Sequence, residues 1–254
     1  MPRTNSKWTR VYIGGYDLSG SARQIGPLAL TYDEADMTTL ADEVKCVLPA
    51  HAQVSLGTLN AVLDNSTSGI HTVLSSPGQM QCVMVAIGMA AEPAQGSPVF
   101  MGEFEQSGYN SEQSGGVYVS APFESSSARR SVVAYENPFG VLLRPKTATT
   151  AVNTSVGVDD YGASTSFGGY MTYQVFAGNG TATIKVQHAS TNADASFADL
   201  SGCTTGVINC STPSAGRIAT TLRTTTVNRY IRWQIVLGTA TSVTFALGFH
   251  RALR

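Results

Sequence analysis

Ala182-Thr183-Ile184-Lys185-Val186-Gln187-His188 decides the fold class: Ala182, Ile184, Val186 and His188 fall on one face of an extended chain, and Thr183, Lys185 and Gln187 on the other. A period of two over this length is a half-buried strand. Outward from it, Ile231, Trp233 and Ile235 repeat the pattern, as do Val243, Phe245, Leu247 and Phe249. Gly178-Asn179-Gly180 reads as a hairpin turn because it tolerates positive φ, and Leu237-Gly238-Thr239-Ala240 as the start of another. The second half of the chain is therefore expected to be a β-sandwich.

The first half follows the same rule less cleanly. Val11 and Ile13 alternate up to Gly14-Gly15, and Leu28, Leu30 and Tyr32 mark a strand after Gly26-Pro27. Val54 and Leu56, then Val83, Val85 and Ile87, then Phe100 and Phe104, then Val117, Val119 and Ala121 continue the pattern between clusters of Gly, Pro, Ser and Asn. One segment differs: Ile70, Val73 and Leu74 have helical spacing, Ser66 and Ser68 offer capping oxygens before them, and Pro77-Gly78 stops the run. The expectation is an all-β protein with one short helix, since about ten short strands leave no room for βαβ units.

Composition agrees. Of 254 residues only 13% are charged, about half the usual share, and the net charge is -1. A protein that grips nucleic acid by its phosphates needs clustered Lys and Arg, so binding of that kind is not expected. No apolar stretch spans a bilayer and none follows the basic N-terminus, so neither a signal peptide nor a membrane partner is expected. Charge is uneven along the chain: residues 1–130 hold seven basic and twelve acidic side chains, a net of -5, and the rest nine against five, a net of +4. The change falls at Glu124-Ser125-Ser126-Ser127-Ala128-Arg129-Arg130, a linker-like stretch. Two domains, 1–130 and 131–254, are expected.

Catalytic patterns are missing from the sequence. It has no GxSxG elbow and no GxxxxGK[ST] loop, and Gly178-Asn179-Gly180 lacks the third glycine of a dinucleotide site. His51, His71, His188 and His250 form no HxH or HExxH pair, and Cys46, Cys82, Cys203 and Cys210 no CxxC, so no metal, cofactor or catalytic residue is expected and the cysteines read as free thiols. Asp159 and Asp160 are adjacent, so on a strand they point to opposite faces and cannot flank one glycosidic bond; they read as a polar turn. Asp33 to Ala52, between two strand signals, is too long for an ordinary turn. It reads as an arm or hairpin reaching a neighbouring subunit, against the alternative of a solvated loop, and its residues Asp33, Glu34, Asp36, Thr38, Thr39, Leu40, Asp42 and Glu43 are the candidate contact set.

The order of Val11-Tyr12-Ile13-Gly14-Gly15-Tyr16-Asp17-Leu18, Asp36-Met37-Thr38-Thr39-Leu40, Val54-Ser55-Leu56-Gly57-Thr58, the helix near Ile70 to Leu74, and Val99-Phe100-Met101-Gly102-Glu103-Phe104 resembles phage tail tube proteins. The resemblance covers about half the chain; beyond roughly Ala134 the sequence resembles an appended immunoglobulin-like or galactose-binding-like sandwich. It implies a tail-tube β-sandwich with a flanking helix and a second sandwich. It also implies a non-enzymatic virion tail protein, assembled in the host cytoplasm, whose copies form six-membered rings that stack with other tail proteins around passing, unbound DNA. Acidic side chains facing such a bore would let phosphates slide. Two other readings stay open: a capsid decoration protein, and a receptor- or carbohydrate-binding module with Tyr170, Tyr173, Tyr230 and Trp233 as stacking rings, although Trp233 alternates with Ile231 and Ile235 as a core residue would.

Overall fold

The computed structural model describes residues 6–113, 116–125, 137–152 and 157–253. In chain order the first strands are β1 (Thr9–Ile13), β2 (Tyr16–Asp17), β3 (Ala22–Ile25), β4 (Leu28–Asp36), β5 (Val47–Leu56) and β6 (Leu59–Val62). The helix α1 (Ile70–Leu74) follows, then β7 (Met80–Ile87), β8 (Pro98–Gln106), β9 (Asn110–Gln113), β10 (Val117–Ala121) and β11 (Phe123–Ser125). The second half supplies β12 (Phe139–Thr149), β13 (Val158–Asp159), β14 (Gly169–Gly178), β15 (Thr181–Ala189), β16 (Ala198–Thr204), β17 (Ile208–Asn209), β18 (Ser214–Ala219), β19 (Tyr230–Leu237) and β20 (Val243–Arg251). The chain is all-β apart from α1 and two short 3-10 turns among the described residues.

One nine-stranded sheet runs β18-β14-β20-β12-β8-β7-β1-β2, with β11 paired to β8. Its strands come from both halves of the chain and meet at β8 and β12, where Phe100 faces Phe139 and Val99 faces Gly140. Of the linker expected at 124–130, Glu124 and Ser125 lie in β11 opposite Glu105 and Phe104, and residues 126–130 fall outside the described residues. A five-stranded sheet (β13-β19-β15-β16, with β17 on β15) covers one face of the second-half strands and closes a core around Ile184, Val186, Trp233, Ile235, Phe245 and Phe249. On the first half a four-stranded sheet (β3-β6-β10-β9), α1 and the base of the β4-β5 pair cover Val83, Val85, Phe100 and Phe104.

The alternate residues of the same strands are buried too. Tyr12, Met84, Ala86, Val99 and Met101 pack with Leu142, Tyr170 and Ala246, because the large sheet rolls over until its two ends touch. Tyr12 meets Phe176 edge-on with ring centroids 4.9 Å apart, and Lys146 on β12 pairs with Asp17 on β2 at 2.8 Å. The side-chain amide of buried Gln174 crosses the roll, accepting from Gly15 N at 2.7 Å and donating to the Cys82 carbonyl at 2.9 Å. Gly15 sits at φ +88° with its α-carbon so close to the Val175 carbonyl and Ser214 N that a β-carbon would lie within 2.7 Å of both.

Three local expectations are corrected. Gly178-Asn179-Gly180 and Leu237-Gly238-Thr239-Ala240 are not hairpin turns: each joins the large sheet to the five-stranded sheet, β14 to β15 and β19 to β20, across the sandwich. The two arches brace one another, as Asn179 Oδ1 accepts from Thr241 N (3.0 Å) and Ser242 N (3.2 Å). The residue at the N-terminus of α1 is Gly69, with no side-chain cap; Asp64 instead accepts from Ser66 N at 2.9 Å and holds the turn before it.

Fully burying a Leu or Met side chain is worth about 1.5–3 kcal/mol, against about 5–15 kcal/mol for a whole domain. Parting the halves at β8 and β12 would uncover Met84, Met101, Leu142 and Tyr170 together. Co-expressed pieces 1–130 and 131–254 should therefore purify as one complex, and 131–254 alone should unfold at lower temperature or aggregate; copurification failing with both pieces soluble would show the roll to be dispensable. His250 lies in the same region, its Nδ1 2.7 Å from the Phe139 carbonyl. Burial, with the charge of Arg217, lowers its pKa to about 4, although the Phe139 contact opposes the shift. The unfolded chain binds that proton more readily, so stability present above pH ~6.5 is lost as pH falls toward 4, by about 3 kcal/mol at most. Melting temperatures of wild type and His250→Gln across that window should converge toward low pH; parallel curves would exclude the linkage.

Candidate functional site

The chemistry-bearing residues outside the arm are committed to the fold. His71 Nδ1 lies 2.9 Å from the Tyr109 hydroxyl, and His188 Nδ1 accepts from Asn228 N at 3.1 Å; the side chain of His51 lies outside the described residues. Cys82, Cys203 and Cys210 are buried free thiols whose pKa values burial raises, that of Cys203 to about 12, which suppresses the thiolate. Asp159 pairs with Arg229 and also caps Gly162 N at 2.7 Å, the polar turn expected from sequence. Asp160 faces the other way and takes the buried guanidinium of Arg251 at 2.8 Å. Among the described residues no group of three or more His, Cys, Asp or Glu could hold a metal ion, and no helix is long and apolar enough to cross a membrane.

The four rings weighed as a sugar platform are not assembled as one. Tyr170 is fully buried in the roll, and Trp233 is a core residue packed edge-on against Phe245 at 5.6 Å. Tyr173 is partly buried against the core of the second half.

The segment 33–52 is a hairpin. Strands β4 and β5 pair antiparallel from Leu28 with Leu56 out to Asp36 with Val47, so the strands run well beyond the points near Tyr32 and Gln53 where the sequence reading ends them. Val54 and Leu56 are anchored in the first-half core, and the root is fixed by Gly26 N to Thr58 O (2.8 Å) and Gly57 N to Pro27 O (3.1 Å). Beyond Leu30 almost every described side chain is exposed on both faces. Asp33 sits at a register shift between Tyr32 and Glu34, a bulge that adds twist.

The tip is built by the residues singled out from sequence. Asp36 Oδ1 accepts from Thr38 N (2.9 Å) and Thr38 Oγ1 (2.6 Å), while Thr38 Oγ1 accepts from Cys46 N at 3.0 Å across the hairpin. Asp42 Oδ2 accepts from Thr39 N (2.7 Å) and Thr39 Oγ1 (2.9 Å). These bonds hold both carboxyls below the usual aspartate range, and the carboxylates nucleate side-chain turns that close the loop. Within the second of these turns Leu40 stands fully in solvent. Glu34 lies along the strand and Glu43 beside the tip.

The sequence reading missed the apolar half of this surface. Tyr32, Met37, Leu40, Val44, Val47 and Leu48 are all exposed, Val44 by 78% and Met37 by 55%. Their signal was present in the apolar residues interleaved with the acids, but with no core to face, periodicity does not identify them. Clustered exposed apolar side chains mark interaction sites. Both outer edges of the two-stranded sheet are unpaired among the described residues, and a two-stranded hairpin is marginal in water without further packing.

Asp36→Ala or Thr38→Val should speed amide hydrogen exchange through residues 37–47 without lowering the global melting temperature, since the tip touches no core. A drop in melting temperature on either change would show that the tip is packed against the body.

No family model matches the chain, and no curated protein matches it. Among solved structures, the SPP1 Dit protein, described as a paradigm of the hub adsorption apparatus in phages infecting Gram-positive bacteria, aligns over 96% of this chain and 99% of its own, with 9% identity and a TM-score of 0.35. A chain of the phage p2 baseplate in its activated conformation with Sr aligns over 96% of this chain and 98% of its own, with 8% identity and a TM-score of 0.34.

Proposed function

We propose that this protein is a structural subunit of a phage virion, a tail component whose copies join into stacked rings through the 28–56 hairpin, leaving a passage for DNA that the protein does not bind. The observation that carries the reading is the projecting hairpin: a pre-shaped tip, exposed apolar side chains and two strand edges unpaired among the described residues. A surface of that kind is costly for a chain that stays alone and useful to one that is covered on assembly. The tail assignment rests on the sequence resemblance, and the order of its motifs includes the Asp36-to-Leu40 tip itself.

The acidic excess of residues 1–130 lies largely on this hairpin, which bears Asp33, Glu34, Asp36, Asp42 and Glu43. Acids gathered on an assembly element leave the assembled wall without a phosphate-gripping surface. Replacing residues 37–46 by Asn-Gly should give a folded, soluble monomer, whereas wild type at rising concentration should form rings or tubes visible by electron microscopy, with no salt-sensitive affinity for duplex DNA. Normal assembly of the shortened variant would remove the hairpin from this role. Closed trimers would favour a decoration protein instead.

A further inference from the structure

A groove of about 630 Å³ runs between β1 and β3 at the root of the hairpin. Among the described residues Lys7, Arg10 and Arg23 line it and no acidic residue does, and partly buried Ala22 and Ile25 supply its apolar surface. The hairpin tip has the opposite character: acidic side chains around exposed Leu40 and Met37. We infer that this groove receives the hairpin tip of a second copy of the chain, with Glu34 and Glu43 of the arm set against Lys7 and Arg23 and the tip's apolar side chains on the groove's apolar surface. The inference rests on the assembly role proposed for the hairpin and names where it lands.

The chain's own tip cannot serve. Ile25 in the groove leads through Gly26 and Pro27 directly into β4, and the root hydrogen bonds of Gly26 and Gly57 fix the hairpin's departure. Nine extended residues of β4 carry the tip about 30 Å away from that point. Groove and tip therefore lie at opposite ends of the hairpin. A contact between one copy's tip and the next copy's groove uses two different surfaces, so wherever two copies do not exchange arms reciprocally it repeats head to tail, closing as a ring or continuing as a filament. Arg10 is held by Glu92 and by the Lys7 and Thr9 carbonyls and shapes the groove wall, whereas Arg23 stacks on Tyr118 with its guanidinium 4.7 Å from the ring centre at an exposed site.

Charge reversal tests the pairing. The groove variant Lys7→Glu/Arg23→Glu and the arm variant Glu34→Lys/Glu43→Lys should each raise the concentration needed for assembly, measured by sedimentation, by at least about tenfold, the equivalent of one well-made charged contact. An equimolar mixture of the two should assemble again, because each variant's arm then finds an opposite groove. A groove variant that assembles like wild type, while the tip-shortened chain does not, overturns this inference and leaves the hairpin's role standing; a tip-shortened chain that assembles normally overturns that role as well. Should either charge variant misfold by circular dichroism, Leu40→Cys and Gln24→Cys in a Cys46→Ser background, treated with a short bis-maleimide, decide the matter: cross-linked multimers support the contact, and their absence from assembled material refutes it.

Discussion

The closure of the nine-stranded sheet on itself governs the rest of the molecule, and it turns on the buried amide of Gln174. A primary amide sealed from water is stabilising only when its donors and acceptor are used, and losing a partner costs about 1–3 kcal/mol. Here the oxygen takes Gly15 N and the nitrogen gives to the Cys82 carbonyl, so β14 is tied to the β1-β2 turn and to β7 by one side chain. Both contacts need the backbone of the far end of the sheet at bonding distance. The Tyr170 hydroxyl adds the same constraint lower in the roll, 3.1 Å from the Met101 carbonyl and 2.9 Å from that of Asn137. Sheet curvature, burial of both faces and the mutual dependence of the two halves follow from this closure.

That dependence explains which parts of the fold were legible. Strands with one polar outer face, β15 and β19, announce themselves by alternation and lie where the sequence places them, although Gln187 and Arg232 on that face are buried. Strands inside the roll were legible on one face only: Val83 and Val85 face one core, as their spacing indicates, while Met84 and Ala86 face another. Gly178-Asn179-Gly180 shows the limit of local reading: positive φ at Gly180 is correctly required, at +66°, but local chemistry does not distinguish a turn between paired neighbours from an arch between facing sheets. Gln174, Tyr170 and Arg251 were invisible as structural residues because each is polar and its partner lies far away in sequence. The site was legible in half: the acids and threonines of the tip are a local pattern, whereas the exposure of Val44 and Leu48 is a tertiary fact.

The charge asymmetry takes on a different meaning once the hairpin is separated from the body. Of the net -5 in residues 1–130, five acids and Lys45 on the hairpin account for -4, leaving the first-half body close to neutral. The acidic excess of the first half is therefore the property of one projecting element, while the second half keeps its net of +4. An open, apolar two-stranded ribbon is the kind of surface that pairs edge to edge with its own copies. Such arm-to-arm pairing would be two-fold symmetric and would stop at a dimer. Like charges in register oppose it, since cross-strand pairs of the same sign are destabilising, while an oppositely charged groove on another face accepts the arm. In the assembly proposed for this protein, the apolar side chains supply the driving force and the acids choose between a symmetric dimer that ends and a head-to-tail contact that propagates.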